Sequence, residues 1–136
     1  MIKHKLMTGL AIITFLCGCT TLSGQERNQL QQLKANGITV DKSVGNWEQP
    51  ANPVMAGALN LLPGIGNFYL AAGNGGDSTH YLYGTLNLLL WPISILWGVP
   101  EAAVDANRIN EREMIYYYRY DIQGKKDIAK AGVVLE

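Results

Sequence analysis

The chain has 136 residues, of which 48% are hydrophobic and only 16% charged, and its basic and acidic side chains balance to no formal net charge. That length holds one small domain, and so little charge on so short a chain points to a membrane rather than to a free soluble domain. The basic residues are scattered, which excludes the concentrated positive surface that nucleic-acid binding requires.

Residues 1–18 have the layout of a secretory signal peptide. Lys3, His4 and Lys5 make a basic start, Leu6 to Leu16 an uncharged apolar core, and Gly18 a small residue at the end. The core is too short for a transmembrane helix, which needs ~20 apolar residues. The following Leu16-Cys17-Gly18-Cys19 resembles the lipobox of bacterial lipoproteins, with Leu three positions before the cysteine and Gly directly before it. The resemblance implies lipidation of Cys19, cleavage before it and acylation of the new amine. Membrane lipid is then a partner, and each buried methylene contributes roughly 0.8 kcal/mol to the anchor. It also implies a place in the cell envelope, anchored in a membrane and facing the periplasm. Thr20, where an Asp would retain enterobacterial lipoproteins, favours the outer over the inner membrane. The alternatives are an ordinary cleaved signal or a metal site at Cys17 and Cys19, although two ligands do not complete a tetrahedral site. Beyond residue 18 there are nine Lys or Arg against eleven Asp or Glu, and no cysteine besides Cys19. Packing, lipid or a partner must then stabilise the product, since a disulfide within the chain does not.

Residues 19–52 predict a lipid-anchored polar linker containing a short helix. Ser23-Gly24-Gln25-Glu26 has capping-box spacing, Leu30 and Leu33 give a narrow apolar stripe, and Asn36-Gly37 supplies a left-handed stop. Ile38-Thr39-Val40 suggests one short strand. Trp47 to Pro53, with two prolines, suggests an extended approach to the next segment.

Residues 53–107 predict a hydrophobic helical hairpin. Gln49 to Gly76 and Ser78 to Pro100 are free of Asp, Glu, Lys and Arg, with Asp77 alone between them. Helices of those lengths would reach across a ~30 Å hydrocarbon core, but Pro63-Gly64-Ile65-Gly66 interrupts the first and Pro92 the second. Broken helices persist at membrane depth only where protein or water satisfies the freed backbone groups, so the two runs should pack on each other. Leu59-Asn60-Leu61-Leu62 is echoed by Leu86-Asn87-Leu88-Leu89, and each copy is soon followed by proline. An antiparallel pair turning at Asn74-Gly75-Gly76-Asp77 would let Asn60 and Asn87 hydrogen-bond across the interface. Alternatively each asparagine faces a headgroup layer. Ser94, Gly98, Ala102 and Ala106 form a small-residue stripe for close helix approach.

Leu62-Pro63-Gly64-Ile65-Gly66-Asn67-Phe68-Tyr69-Leu70, with a second apolar helix and Asp105 after it, resembles the two-helix hairpin of TM2-domain proteins. The resemblance covers roughly residues 53–107 and implies architecture rather than activity. Ala71 stands where that family has Gly, and the linker lacks its Asp-Arg-Phe element. The hairpin either spans the membrane or re-enters it. With an exported N-terminus, the turn at 74–79 would face the cytoplasm without Lys or Arg, while Arg108, Arg112 and Arg119 follow the second run. That charge bias argues against spanning.

Residues 108–136 return to water as a polar helix end and tail. Pro100-Glu101 suggests a helix start, running to about Tyr118. Tyr116 to Tyr120 suggests a packed strand with a turn at Gln123-Gly124, a short C-terminal β-hairpin, or else an aromatic and basic surface for a partner or headgroups. Lys125 to Glu136 suggests a mobile tail.

The expected fold class is therefore mainly α: a small membrane-associated helical hairpin flanked by short polar helices. No catalytic, metal or cofactor constellation is expected. His80 follows Asp77-Ser78-Thr79 in a turn, where adjacency does not make a triad, and Gly64-Ile65-Gly66 lacks the lysine of a phosphate loop. The expected role is structural or protein-interacting, with a second copy or an envelope protein as partner. A phage- or stress-type modulator of another envelope component is the alternative, and an enzyme the third reading.

Overall fold

The first helix forms where its caps dictate. Ser23 accepts from the Glu26 amide while Glu26 accepts from the Ser23 amide, completing the expected capping box for α1, Gly24–Ala35. Asn36 closes that helix, and Gly37 follows at φ 77°. The computed structural model describes residues 20–73 and 75–135, so the signal peptide, Cys19 and Asn74 lie outside the described residues. Within them the chain is mainly α. Five helices follow the first: α2 Pro53–Leu59, α3 Ile65–Ala72, α4 Thr79–Leu89, α5 Ile95–Tyr120 and α6 Ile122–Lys130.

α5, with 26 residues and a length of ~39 Å, runs through both halves of the molecule. Around its C-terminal half, Leu30 and Leu33 of α1, Ile38, Trp47 and Ile128 of α6 close over Met114, Ile115 and Tyr118. The Tyr118 hydroxyl donates to the Val44 carbonyl and accepts from the Val44 amide, both at 2.8 Å, fixing the 38–48 loop on the helix. Asp127 of α6 accepts from Tyr117 Oη at 2.7 Å, from Gln123 Nε2 at 2.8 Å and from the Asn46 amide at 3.1 Å. These hydrogen bonds, led by that from Tyr117, hold its carboxyl below the usual range.

Four expectations fail along α5 and its neighbours. No strand forms among the described residues: Ile38 to Val40 yields only an isolated bridge between Thr39 and Lys42, and the C-terminal β-hairpin is absent. Tyr116 to Tyr120 ends α5, and Gln123-Gly124 lies inside α6. The burial of Met114, Ile115 and Tyr118 has helical spacing, and that period outweighs the strand preference of the tyrosines. Gly124 permits the α5–α6 contact, since a Cβ there would lie 2.0 Å from the Tyr117 carbonyl oxygen. Ile122–Lys130 is thus a docked helix rather than a loose tail. Pro100 likewise does not start the helix. It lies inside α5, exposed, because the apolar run before it continues into the same helix.

In the other half the expected hairpin is folded over twice. Each charge-free run bends at its proline: α2 and α3 make one short packed hairpin, and α4 packs on α3 before the chain turns back into α5. Gly73 and residues 75–78 lie at the opposite end. Both elbows sit beside residues 94–98 of α5, where Asn60 and Asn87 lie. The other ends meet α5 higher up: Asn110 pairs with the backbone of Ala51, His80 faces Asp105, and Arg112 donates to the Gly75 carbonyl. Ala56, Ala102, Ala106, Leu70 and Ile109 form the small-residue seam between the helices.

Candidate functional site

The elbows are built around amides. Asn60 caps the break: its Oδ1 accepts from the Gly66 amide at 3.0 Å, while its Nδ2 donates to Asn67 Oδ1 at 2.8 Å and to the Gly98 carbonyl at 2.5 Å. Asn87 Nδ2 donates to the same Asn67 Oδ1 at 2.9 Å, and Asn87 Oδ1 accepts from Trp97 Nε1 at 3.0 Å. Ser94 Oγ donates to the Asn87 carbonyl at 2.6 Å, so the second elbow is closed by its own side chain. Asn60, Asn67, Asn87 and Ser94 are all buried.

Glycines make the approach possible. Gly64 adopts φ 79° directly after Pro63, and a Cβ on it would lie 2.1 Å from the Gly84 carbonyl oxygen of α4. A Cβ on Gly66 would lie 2.1 Å from the Ala56 carbonyl oxygen, and one on Gly98 3.0 Å from Asn60 Nδ2. The structure thus gathers the sequence-selected Asn60, Pro63, Gly64, Gly66, Asn87, Ser94 and Gly98 at one end. It differs in one respect: Asn60 and Asn87 meet through Asn67 rather than directly. Asn67, which sequence reasoning passed over, is the one strongly polar side chain inside the apolar α3, and that isolation was its signal.

The outside of this end is apolar. α4 is inverted relative to a helix of a water-soluble domain: His80, Gly84 and Asn87 face inward, while Leu82, Leu86, Leu88 and Leu89 face outward. Leu61, Leu62, Leu90, Trp91, Ile93 and Leu96 continue the apolar surface around both elbows, with Leu89 74% and Leu96 79% exposed. These exposed large apolar side chains are more than the singly scattered ones that need no explanation.

A second buried polar cluster lies near the other end of α4. The Thr20 amide donates to Asp105 Oδ1 at 3.0 Å, and Arg108 donates to the Thr20 carbonyl at 2.8 Å. Thr20 Oγ1 is 3.2 Å from His80 Nε2, while His80 Nδ1 is 3.8 Å from Asp105 Oδ2. The hydroxyl–imidazole–carboxylate order resembles a hydrolase relay, but the 3.8 Å separation exceeds a hydrogen bond and all three side chains are buried. Burial pushes the His80 imidazole below its ordinary pKa, against the opposing pull of Asp105 and Asp77.

No helix among the described residues is long and apolar enough to cross a membrane. No family model matches the chain, and neither curated proteins nor solved structures supply a match.

Proposed function

We propose that the chain is a lipid-anchored envelope protein, acylated on Cys19, whose two proline elbows sit in one membrane leaflet while the half built on α1, α6 and the end of α5 faces the periplasm. Its role there is structural or protein-interacting rather than catalytic. The observation that carries this reading is the inverted α4. In water, leucines outside and asparagine inside cost free energy on both faces, whereas in hydrocarbon the same arrangement is favourable. Support comes also from the depth of the hairpins. α2, α3 and α4 have 7, 8 and 11 residues. At 1.5 Å per residue they reach roughly 10 to 16 Å, which matches one leaflet and not two.

Two membrane contacts, acyl chain and elbows, can be separated experimentally. Labelling with a palmitate analogue should depend on Cys19, and a Cys19→Ala variant exported behind a signal peptide that is cleaved without lipidation should leave a fraction of the protein in membranes through the elbows. Adding Leu62→Lys and Leu89→Lys to that variant should move it to the soluble fraction, since each buried charge costs about 2.5–3.5 kcal/mol at mid-membrane. Equal retention of the lysine variant would refute leaflet insertion, and label independent of Cys19 would refute the anchor.

A further inference from the structure

The residue that follows the proposed lipidation site is held by the fold. The backbone of Thr20 is paired on both sides: its amide donates to Asp105 and its carbonyl accepts from Arg108. Its side chain lies against His80, and the residue is only 3% exposed. The two α5 residues are separated from Thr20 by 85 and 88 positions in sequence, so this is a tertiary site and not a local turn. Asp105 and Arg108 lie at helical-neighbour spacing on α5, and His80 reaches them from the first turn of α4. A flexible lipid tether would need none of these groups.

We infer that His80, Asp105 and Arg108 form a binding site for the mature N-terminal segment, which fixes where the acyl chains leave the protein and couples anchor and elbows into one rigid membrane contact. The inference rests on the reading of Cys19 as the acylated residue. Cys19 directly precedes Thr20 in the chain, so the proposed lipidation site adjoins the clamp in sequence. The level of this site along α5 is set by helix rise. From Ile95, beside the second elbow, to Asp105 is ten residues, or about 15 Å. Half of a ~30 Å hydrocarbon core is also about 15 Å. With the elbows near the bilayer centre, the clamp stands at the boundary between headgroups and hydrocarbon, which is where a lipidated cysteine must sit for its chains to descend. Asp77, Asp105 and Arg108 lie at or above that boundary and the elbows carry no charge; Glu101, about 9 Å from Ile95 along the helix, falls below it and is buried within the protein. The acyl chains then run beside the outward leucines of α4, Leu82, Leu86 and Leu89.

The test uses the full chain expressed in cells fed a palmitate analogue that carries an alkyne and a diazirine. Alkyne label that depends on Cys19 reports acylation. Irradiation should then crosslink the acyl chain to the exposed face of α4 within the same molecule. Arg108→Gln should retain the label, lose most of that crosslink, and raise hydrogen exchange at the Thr20 amide about tenfold or more, the factor set by loss of one charge-assisted hydrogen bond. A short Gly-Ser spacer between Cys19 and Thr20 leaves every clamp bond in place and should lose the crosslink too. Should Arg108→Gln also lose amide protection along α5, the spacer variant decides. Label with equal intramolecular crosslinking in native and spacer chains overturns the clamp as the device that directs the lipid. Absence of label overturns the acylation reading itself.

Discussion

Replacing Asn60 by leucine separates an amide that serves the fold from one that merely faces a polar layer. The side chain is 2% exposed and makes four hydrogen bonds, from the Gly66 amide and, at 3.4 Å, the Asn67 amide, and to Asn67 Oδ1 and the Gly98 carbonyl. Leucine removes all four, the long one from the Asn67 amide being the weakest. The Gly66 amide, in the first turn of α3, loses the partner that satisfies it, at a cost of about 1–3 kcal/mol for a buried unpaired donor. Asn67 Oδ1 keeps Asn87, and the Gly98 carbonyl lies inside α5, so each of these losses costs less, about 0.5–1.5 kcal/mol. The branched side chain must also fit against Gly66 and Gly98, whose backbones come so close that a Cβ added to either would lie 3.0 Å from Asn60. Together these terms give a destabilisation of about 3 kcal/mol, more than a hundredfold in the unfolding equilibrium. Denaturant unfolding of the detergent-solubilised chain, followed by tryptophan fluorescence, measures it. Leu61→Ala, at the exposed neighbouring position, is the control. An Asn60→Leu variant within about 0.5 kcal/mol of the native chain, the range of a substitution outside the core, would refute the argument that the Asn60 amide holds the elbow together.

The packing of one hairpin on the other can be isolated with two glycines of similar backbone. Gly64 and Gly37 have φ 79° and 77°, but a Cβ meets the Gly84 carbonyl oxygen at the first and nothing within 4 Å at the second. Gly37→Ala should cost about 1–2 kcal/mol from backbone conformation alone, and Gly64→Ala a further 1–3 kcal/mol or so from the clash. Equal losses in thermal unfolding would show that the two hairpins do not press together there. A pH dependence follows from His80. Its folded pKa lies below the ordinary value of 6.5, so the unfolded chain takes up a proton first and stability, complete above that value, declines as the pH falls through it. Asp105, Asp77 and Arg112 face the ring and set how far the decline extends. The carboxyls of Glu26, Asp77 and Asp127 are held below their ordinary values, so their contribution is lost only at lower pH. The melting temperature should fall between pH 7.5 and 5, and His80→Gln should flatten that fall; a native chain with a level profile would contradict the buried neutral imidazole.

Local chemistry was legible in the sequence wherever one residue type determines the conformation. Ser23 with Glu26, Asn36 with Gly37, and the glycines after Pro63 all act over a few positions, and each stands where its chemistry requires. The echo of Leu-Asn-Leu-Leu was also informative. It marks two equivalent elbows, although periodicity alone suggested one hairpin with a single turn. The missing step was geometric: a proline after each copy folds each run on itself, which puts Asn60 and Asn87 at one end against Asn67. Tyr116 to Tyr120 misled because aromatic enrichment favours a strand in isolation, while the helix that carries Tyr118 into the core begins 23 residues earlier. The Thr20 clamp had no local signal. Its partners at His80, Asp105 and Arg108 become neighbours only when the packed helices bring the start of α4 to α5, so no spacing in the chain announces them.

The twice-folded architecture also bears on the charge bias. A single hairpin crossing the membrane from an exported N-terminus would put residues 74–79 in the cytoplasm without a basic residue and return Arg108, Arg112 and Arg119 to the outside. Two elbows that enter and leave the same leaflet place Asp77 and all three arginines on the side of the anchor, where no rule opposes them. Arg112 donates to the Gly75 carbonyl, which ties the junction between the hairpins to the polar side of the molecule. Dragging that junction through hydrocarbon would carry Asp77 and the guanidinium with it, at a cost of about 2.5–3.5 kcal/mol for each charge. The same contact therefore closes the fold and opposes the spanning alternative; in the proposed leaflet arrangement Asp77, Arg108, Arg112 and Arg119 stay near water, while Glu101, the charge on α5 nearest the elbows, is buried within the protein.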